Sequence, residues 1–157
     1  MKRVLFSILA VVATATLRAA PSTPSPTPAP TPVADIDSAE AKARSAALEL
    51  AGAFSNDGYK IRDGFYFGAL DPKKGAVIEV NLFAGNEYWF CAAANDPARK
   101  IAVEIYDENG KPVEQQHYGD GATAAAGVVA ATSGKFLAKV SLLEGEASDF
   151  CLVYCYK

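Results

Sequence analysis

Histidine occurs once in this chain, at His117, and tryptophan once, at Trp89; cysteine is limited to Cys91, Cys151 and Cys155. A catalytic histidine needs a nucleophile and an orienting acid, and neither a Gly-x-Ser-x-Gly nor a Cys-Gly nucleophile signature is present. Flanked by Gln115, Gln116 and Tyr118, His117 reads as an exposed polar residue of an edge strand. The same scarcity argues against zinc, because a Cys-x3-Cys pair on one strand plus a single distant histidine is awkward for a tetrahedral site. Asp107, Glu108 and Asn109 crowd into a tight hairpin without the long ligand loop of an EF-hand, and Asp96 and Asp120 read as loop residues. No catalytic residue, cofactor or metal ligand is therefore expected, and a small secreted hydrolase is an alternative without a motif behind it. Basic residues form no stripe along the chain, which speaks against nucleic acid and anionic membrane surfaces.

Long apolar runs are absent except at the N-terminus. There Lys2 and Arg3 precede the run Val4 to Leu17, and small-residue cleavage sites follow at Ala13-Thr14-Ala15 and near Ala19-Ala20. This is the pattern of a signal peptide over 1–20, and the run is shorter than the ~20 residues a spanning helix needs. No cysteine lies near the cut, which argues against a lipoprotein. Cleavage after Ala20 removes Lys2, Arg3 and Arg18, leaving twelve basic against eighteen acidic residues. The expected product is a mildly acidic exported protein, periplasmic or extracellular, with no membrane span.

A chain of 157 residues has room for one ordinary domain. Pro21 to Val33, PSTPSPTPAPTPV, places proline in near-alternation with Ser and Thr. Such a segment cannot form helix or sheet ladders and reads as a Pro-rich disordered spacer over 21–34, with a docking motif for a proline-binding partner as the alternative. From Asp37 to Asn56 the period is helical: Ala43, Ala47, Leu50 and Phe54 fall on one stripe, Asp37 or Ser38 can cap, and Glu40 stands ready for a capping-box contact. Asn56-Asp57-Gly58 stops this helix, so the amphipathic segment spans 35–58.

Beyond Gly58 the period becomes two. Tyr59 to Leu70, Ala76 to Phe83, Glu87 to Ala94, Ile101 to Tyr106, Pro112 to His117, Ala122 to Thr132, Phe136 to Leu143 and Phe150 to Tyr156 alternate as strands between Gly, Pro, Asn and Asp turn signals. Asn109-Gly110 is the favoured hairpin pair. No internal repeat is visible. The pattern predicts an all-β domain over 59–157, an antiparallel, jelly-roll-like β-sandwich of about eight strands with the N-terminal helix packed on it.

Within this scheme Glu87 to Ala94 is apolar on both faces, so each face needs a cover. Tyr88 and Phe90 share one face, Trp89 and Cys91 the other; on the last strand Phe150, Leu152, Tyr154 and Tyr156 oppose Cys151, Val153 and Cys155. The expected arrangement buries one face in the sandwich and the other under the helix, which needs an apolar surface to cover. The competing arrangement exposes an aromatic platform, with Trp89, Tyr88, Tyr154 and Tyr156 as candidates for stacking on sugar rings or on a partner protein. Cys151 and Cys155 lie about 13 Å apart at strand rise, too far for a disulfide. A bridge must therefore join Cys91 to Cys151 or Cys155, failing which all three are buried thiols packing as small hydrophobes.

The order Tyr88-Trp89-Phe90, then IAVEIYDENGK from Ile101, SGKFLAKV from Ser133 and FCLVY from Phe150 resembles the bacterial pre-peptidase C-terminal domain type. That resemblance covers Ala76 to the end and implies a small exported β-sandwich with no catalytic residues of its own. Such domains are ordinarily appended to a secreted enzyme, whereas here a spacer and a helix precede it. The function expected is a non-catalytic binding or structural module with an unidentified protein or glycan partner; the alternative is a carbohydrate-binding module using exposed aromatics.

Overall fold

The computed structural model describes residues 38–157; the signal peptide and Pro-rich spacer read from the sequence lie outside them. Helix α1, Ala39–Gly52, starts where Ser38 takes an extended conformation and its hydroxyl accepts a hydrogen bond from the Ala41 amide at 3.2 Å. Glu40 therefore sits one position too early for a capping box. A 3-10 turn, Ser55–Asp57, and Gly58 at φ +86° end the segment.

Nine strands follow, all paired antiparallel. They are β1 (Lys60–Ile61), β2 (Tyr66–Leu70), β3 (Ala76–Leu82), β4 (Glu87–Ala94), β5 (Ala98–Asp107), β6 (Gln116–Tyr118), β7 (Thr123–Val129), β8 (Gly134–Gly145) and β9 (Ser148–Tyr156). One sheet runs β1-β9-β4-β7-β6, with β2 also on β9, and the other runs β3-β8-β5. The expected strand from Tyr59 to Leu70 is present in two pieces along the same edge of β9. Ile61 faces Cys155 and Tyr66 faces Leu152, so two extra residues are looped out around Asp63 and Gly64, the latter at φ +99°.

The alternation in β4 decides the layering. Tyr88, Phe90 and Ala92 point between the sheets, where they meet Val80, Leu82, Val103, Ile105, Phe136, Val140, Leu152 and Tyr154 in one buried cluster. Cys91 and Ala93, with Ala125, Cys151, Val153 and Cys155, point the other way into a second cluster closed by Ala43, Ala47, Ala51 and Phe54 of α1 and its end. The helix thus buries an almost pure alanine stripe. Small side chains let its backbone come close to a sheet face that is itself made of Cys, Ala and Val. At the stripe's end Phe54 stacks on Trp89 with centroids 4.4 Å apart and planes 15° from parallel. The expectation of a sandwich of about eight strands with a helical lid holds, with nine strands among the described residues.

The third layer-setting feature is the path from β5 to β6. Asn109-Gly110 turns the chain, with Gly110 at φ +77° and both Asn109 and Lys111 amides donating to Asp107 Oδ1 at 2.9 Å. The returning segment runs along the outer edge of β5: the Val113 amide donates to the Ile105 carbonyl, and the Ile105 amide to Gln115 Oε1 at 2.8 Å. Only then does the chain cross to the larger sheet, as β6, and pair with β7 over Ala125 to Gly127.

Candidate functional site

Because β6 begins only at Gln116, whose partner is Gly127, the last residues of β7, Val128 and Val129, run on past it. Between β7's end and the Glu114–Gln116 segment lies an open cleft of about 340 Å³. Its floor is Gly127, Val128, Val129 and parts of Tyr88 and Trp89; Tyr59 and Glu87 form one wall and Glu114, Gln115 and Gln116 the other. Val129 is 67 % exposed at its mouth.

Trp89 enters the cleft only by part of its ring, because its faces are engaged. Phe54 stacks on one side. On the other, Gly127 is its direct partner across the β4–β7 ladder, and a Cβ added there would meet Trp89 Cζ2 at 2.7 Å. Glycine at 127 is therefore a packing requirement, the space its side chain would take being filled by indole. Tyr59 and Tyr118 complete the group, each edge-on to Phe54 at 6.2 and 5.7 Å.

The Glu87 wall is built from three chain regions. Tyr59, just past the helix stop, donates its hydroxyl to Glu87 Oε2 at 2.7 Å. Lys157, following β9, places Nζ 3.2 Å from the same oxygen and 4.4 Å from the Tyr59 ring centroid. Backbone bonds between Glu87 and Lys157, 3.0 Å in each direction, hold the two side chains side by side. The hydrogen bonds from Tyr59 and Lys157 draw the Glu87 carboxyl below the usual glutamate range, while the bond to Glu87 raises Lys157. Burial first, and then the same carboxylate, raise Tyr59.

The residues singled out from sequence do not form one platform. Tyr88 and Tyr154 lie in the core between the sheets, with Tyr88 Oη accepting from the Phe83 amide and Asn86 Nδ2 at 2.9 and 3.2 Å. Tyr156, on their face of β9, is partly exposed, whereas Trp89 faces the helix. Strand alternation separates them by a sheet thickness, so the proposed four-residue stacking surface is replaced by core packing and the Phe54–Trp89 stack. His117 is an exposed residue of β6 and is not among those lining the cleft.

The three cysteines are buried free thiols. Cys91 stands directly opposite Val153, which makes Cys151 and Cys155 its two diagonal neighbours. Diagonal positions in a ladder are about 7–8 Å apart at Cα, past the ~4.4–6.8 Å of ordinary disulfides, which is why neither anticipated bridge fits this register. The Cys155 thiol instead donates to the Trp89 carbonyl at 3.8 Å. Burial pushes the Cys151 thiol up to about 11, and Cys91 is raised by its bond with Cys155 and by burial. Cys91 and Cys151 are therefore un-ionised near neutral pH, while the bond with Cys91 lowers the Cys155 thiol.

Sequence reading missed Tyr59, Glu87, Glu114, Gln115, Gln116, Val129 and Lys157. Only one signal was open to it: Glu87 shares a strand face with Trp89, so a carboxylate beside the single tryptophan could have been flagged. Among the described residues no group of His, Cys, Asp and Glu could hold a metal ion, and no helix is long and apolar enough to cross a membrane.

Fold and site together define an all-antiparallel β-sandwich, lidded by one helix and carrying a polar-walled, apolar-floored cleft at the end of a strand. Neither a protein-family description nor a curated protein matches the chain.

Proposed function

We propose that this chain is a non-catalytic, exported β-sandwich module with a binding role in the bacterial periplasm or cell exterior, and that the β7-end cleft is where its ligand sits. The observation that carries the reading is the cleft itself: an apolar floor between polar walls, at the lower end of the size range of small-ligand sites. Its walls are pre-set by the Tyr59–Glu87–Lys157 contacts and the Phe54–Trp89 stack, so little ordering is lost on binding. Export rests on the basic and then apolar N-terminus, and the strand-pattern likeness to pre-peptidase C-terminal domains agrees with an exported, non-catalytic role. Sugar stacking on an aromatic platform loses support, since both faces of Trp89 are taken.

Trp89 lines the cleft and is the chain's single tryptophan, so its emission reports occupancy. A panel of neutral glycans, amines and carboxylates titrated into the full chain is expected to give a saturable change that Val129→Arg, which fills the mouth, removes. No change with any class, or a change that survives Val129→Arg, would rule the cleft out. N-terminal sequencing of the protein recovered from a bacterial envelope checks export, with the intact N-terminus as the contrary result.

A further inference from the structure

The geometry points to a ligand carrying a primary ammonium on an apolar stem, an inference that rests on the cleft being the binding site. The chain displays the required chemistry with one of its own side chains. Lys157 Nζ lies against the Tyr59 ring at 4.4 Å and on Glu87 Oε2 at 3.2 Å, so the rim is already an ammonium seat made of an aromatic face and a carboxylate. The Tyr59 hydroxyl also bonds to Oε2, and Glu87 Oε1 keeps its acceptor capacity.

The opposite wall supplies a second carboxylate. Glu114 lines the cleft and forms no ion pair among the described residues. Beside it, Gln115 has committed its oxygen to the Ile105 amide. Two carboxylates against one ammonium leave the walls with a surplus of negative charge, which disfavours anions and favours a cation. Between the walls the floor of Gly127, Val128, Val129 and Trp89 suits methylenes rather than hydroxyls. A lysine side chain of a peptide and a free alkyl diamine share this chemistry.

The test titrates the full chain, followed by Trp89 emission and calorimetry, with a lysine-containing tetrapeptide, the same peptide acetylated on lysine, cadaverine, a neutral trisaccharide and succinate. The lysine peptide or cadaverine is expected to bind, the stronger of the two identifying the source, and acetylation, which keeps the stem and removes the charge, is expected to abolish peptide binding. Glu114→Gln should weaken binding about threefold to tenfold, since the carboxylate is solvent-exposed, and added salt should weaken it further. Lys157→Ala, which frees Glu87, should tighten it. Equal binding of the acetylated peptide, preference for succinate, or indifference to Glu114→Gln would overturn the proposal. Saccharide binding that Val129→Arg removes would overturn the ammonium and leave the cleft standing; silence from every probe would remove both.

Discussion

Gly127 is the residue on which the helix-facing side of the large sheet depends most directly. Its missing side chain is the room in which the Trp89 indole lies, so Gly127→Ala forces the ring off Phe54 or bends the sheet. The expected cost is about 1–3 kcal/mol, measured by urea unfolding, with a red shift of Trp89 emission as the stack loosens. At the same scale, the three thiols give a yes-or-no experiment. Their register and burial predict identical intact masses with and without reductant, no labelling by a maleimide in the folded state, and labelling at all three once the chain is unfolded. A mass difference of two hydrogens would show that β4 and β9 can shift enough to bridge a diagonal pair.

Helix α1 shows how an element can be amphipathic with little apolar bulk. Its buried stripe is Ala43, Ala47 and Ala51, so the stabilisation comes from close approach to the sheet rather than from large side chains. Ala47→Leu should therefore destabilise by about 1–3 kcal/mol, although leucine is a good helix former and more apolar, because the added volume lifts the helix from Cys91, Cys151 and Cys155. Ser38→Ala should cost about 1 kcal/mol through loss of the N-cap. Both are read as shifts in the urea midpoint. The periodicity that locates this helix is plain in the sequence, and so is the two-faced β4 that it covers. The end of the stripe is less so: Leu50 packs partly buried against the same cluster as expected, but Ala51, four residues on from Ala47, is the fully buried position there.

For the whole molecule, the Tyr59–Glu87–Lys157 group ties the end of the helical segment, the start of β4 and the end of β9, and its protonation sets a pH window. Glu87 lies below its ordinary 4.5 in the folded state, so its contribution is present above that value and is lost as pH falls through the lowered one. Lys157 lies above its ordinary 10.5, so its contribution is complete below that value and is lost as pH rises through the raised one; Tyr59, also raised, has the same sign. Glu87→Gln should remove this group's share of both the acid and alkaline limbs of the stability curve, checked by thermal melts across pH. Apart from Glu87 sharing a strand face with Trp89, none of this was legible in the sequence, since alternation tells which face a residue occupies but not which strands become neighbours. The sandwich class follows from local pattern; the cleft follows from β6 being short and from the chain crossing between sheets, which is a property of the assembled topology.

The segment that crosses between sheets has one more effect. By laying Val113 and Gln115 along β5, and with Gly121 accepting from the Ile101 amide, the chain occupies the outer rim of the small sheet with its own groups. β3, at the opposite rim, pairs only with β8. The β5 rim is thus occupied at Ile101 and Ile105, whereas no strand pairs on the outer side of β3 among the described residues. Edge-to-edge pairing through the small sheet is thereby steered away from the β5 rim and toward β3.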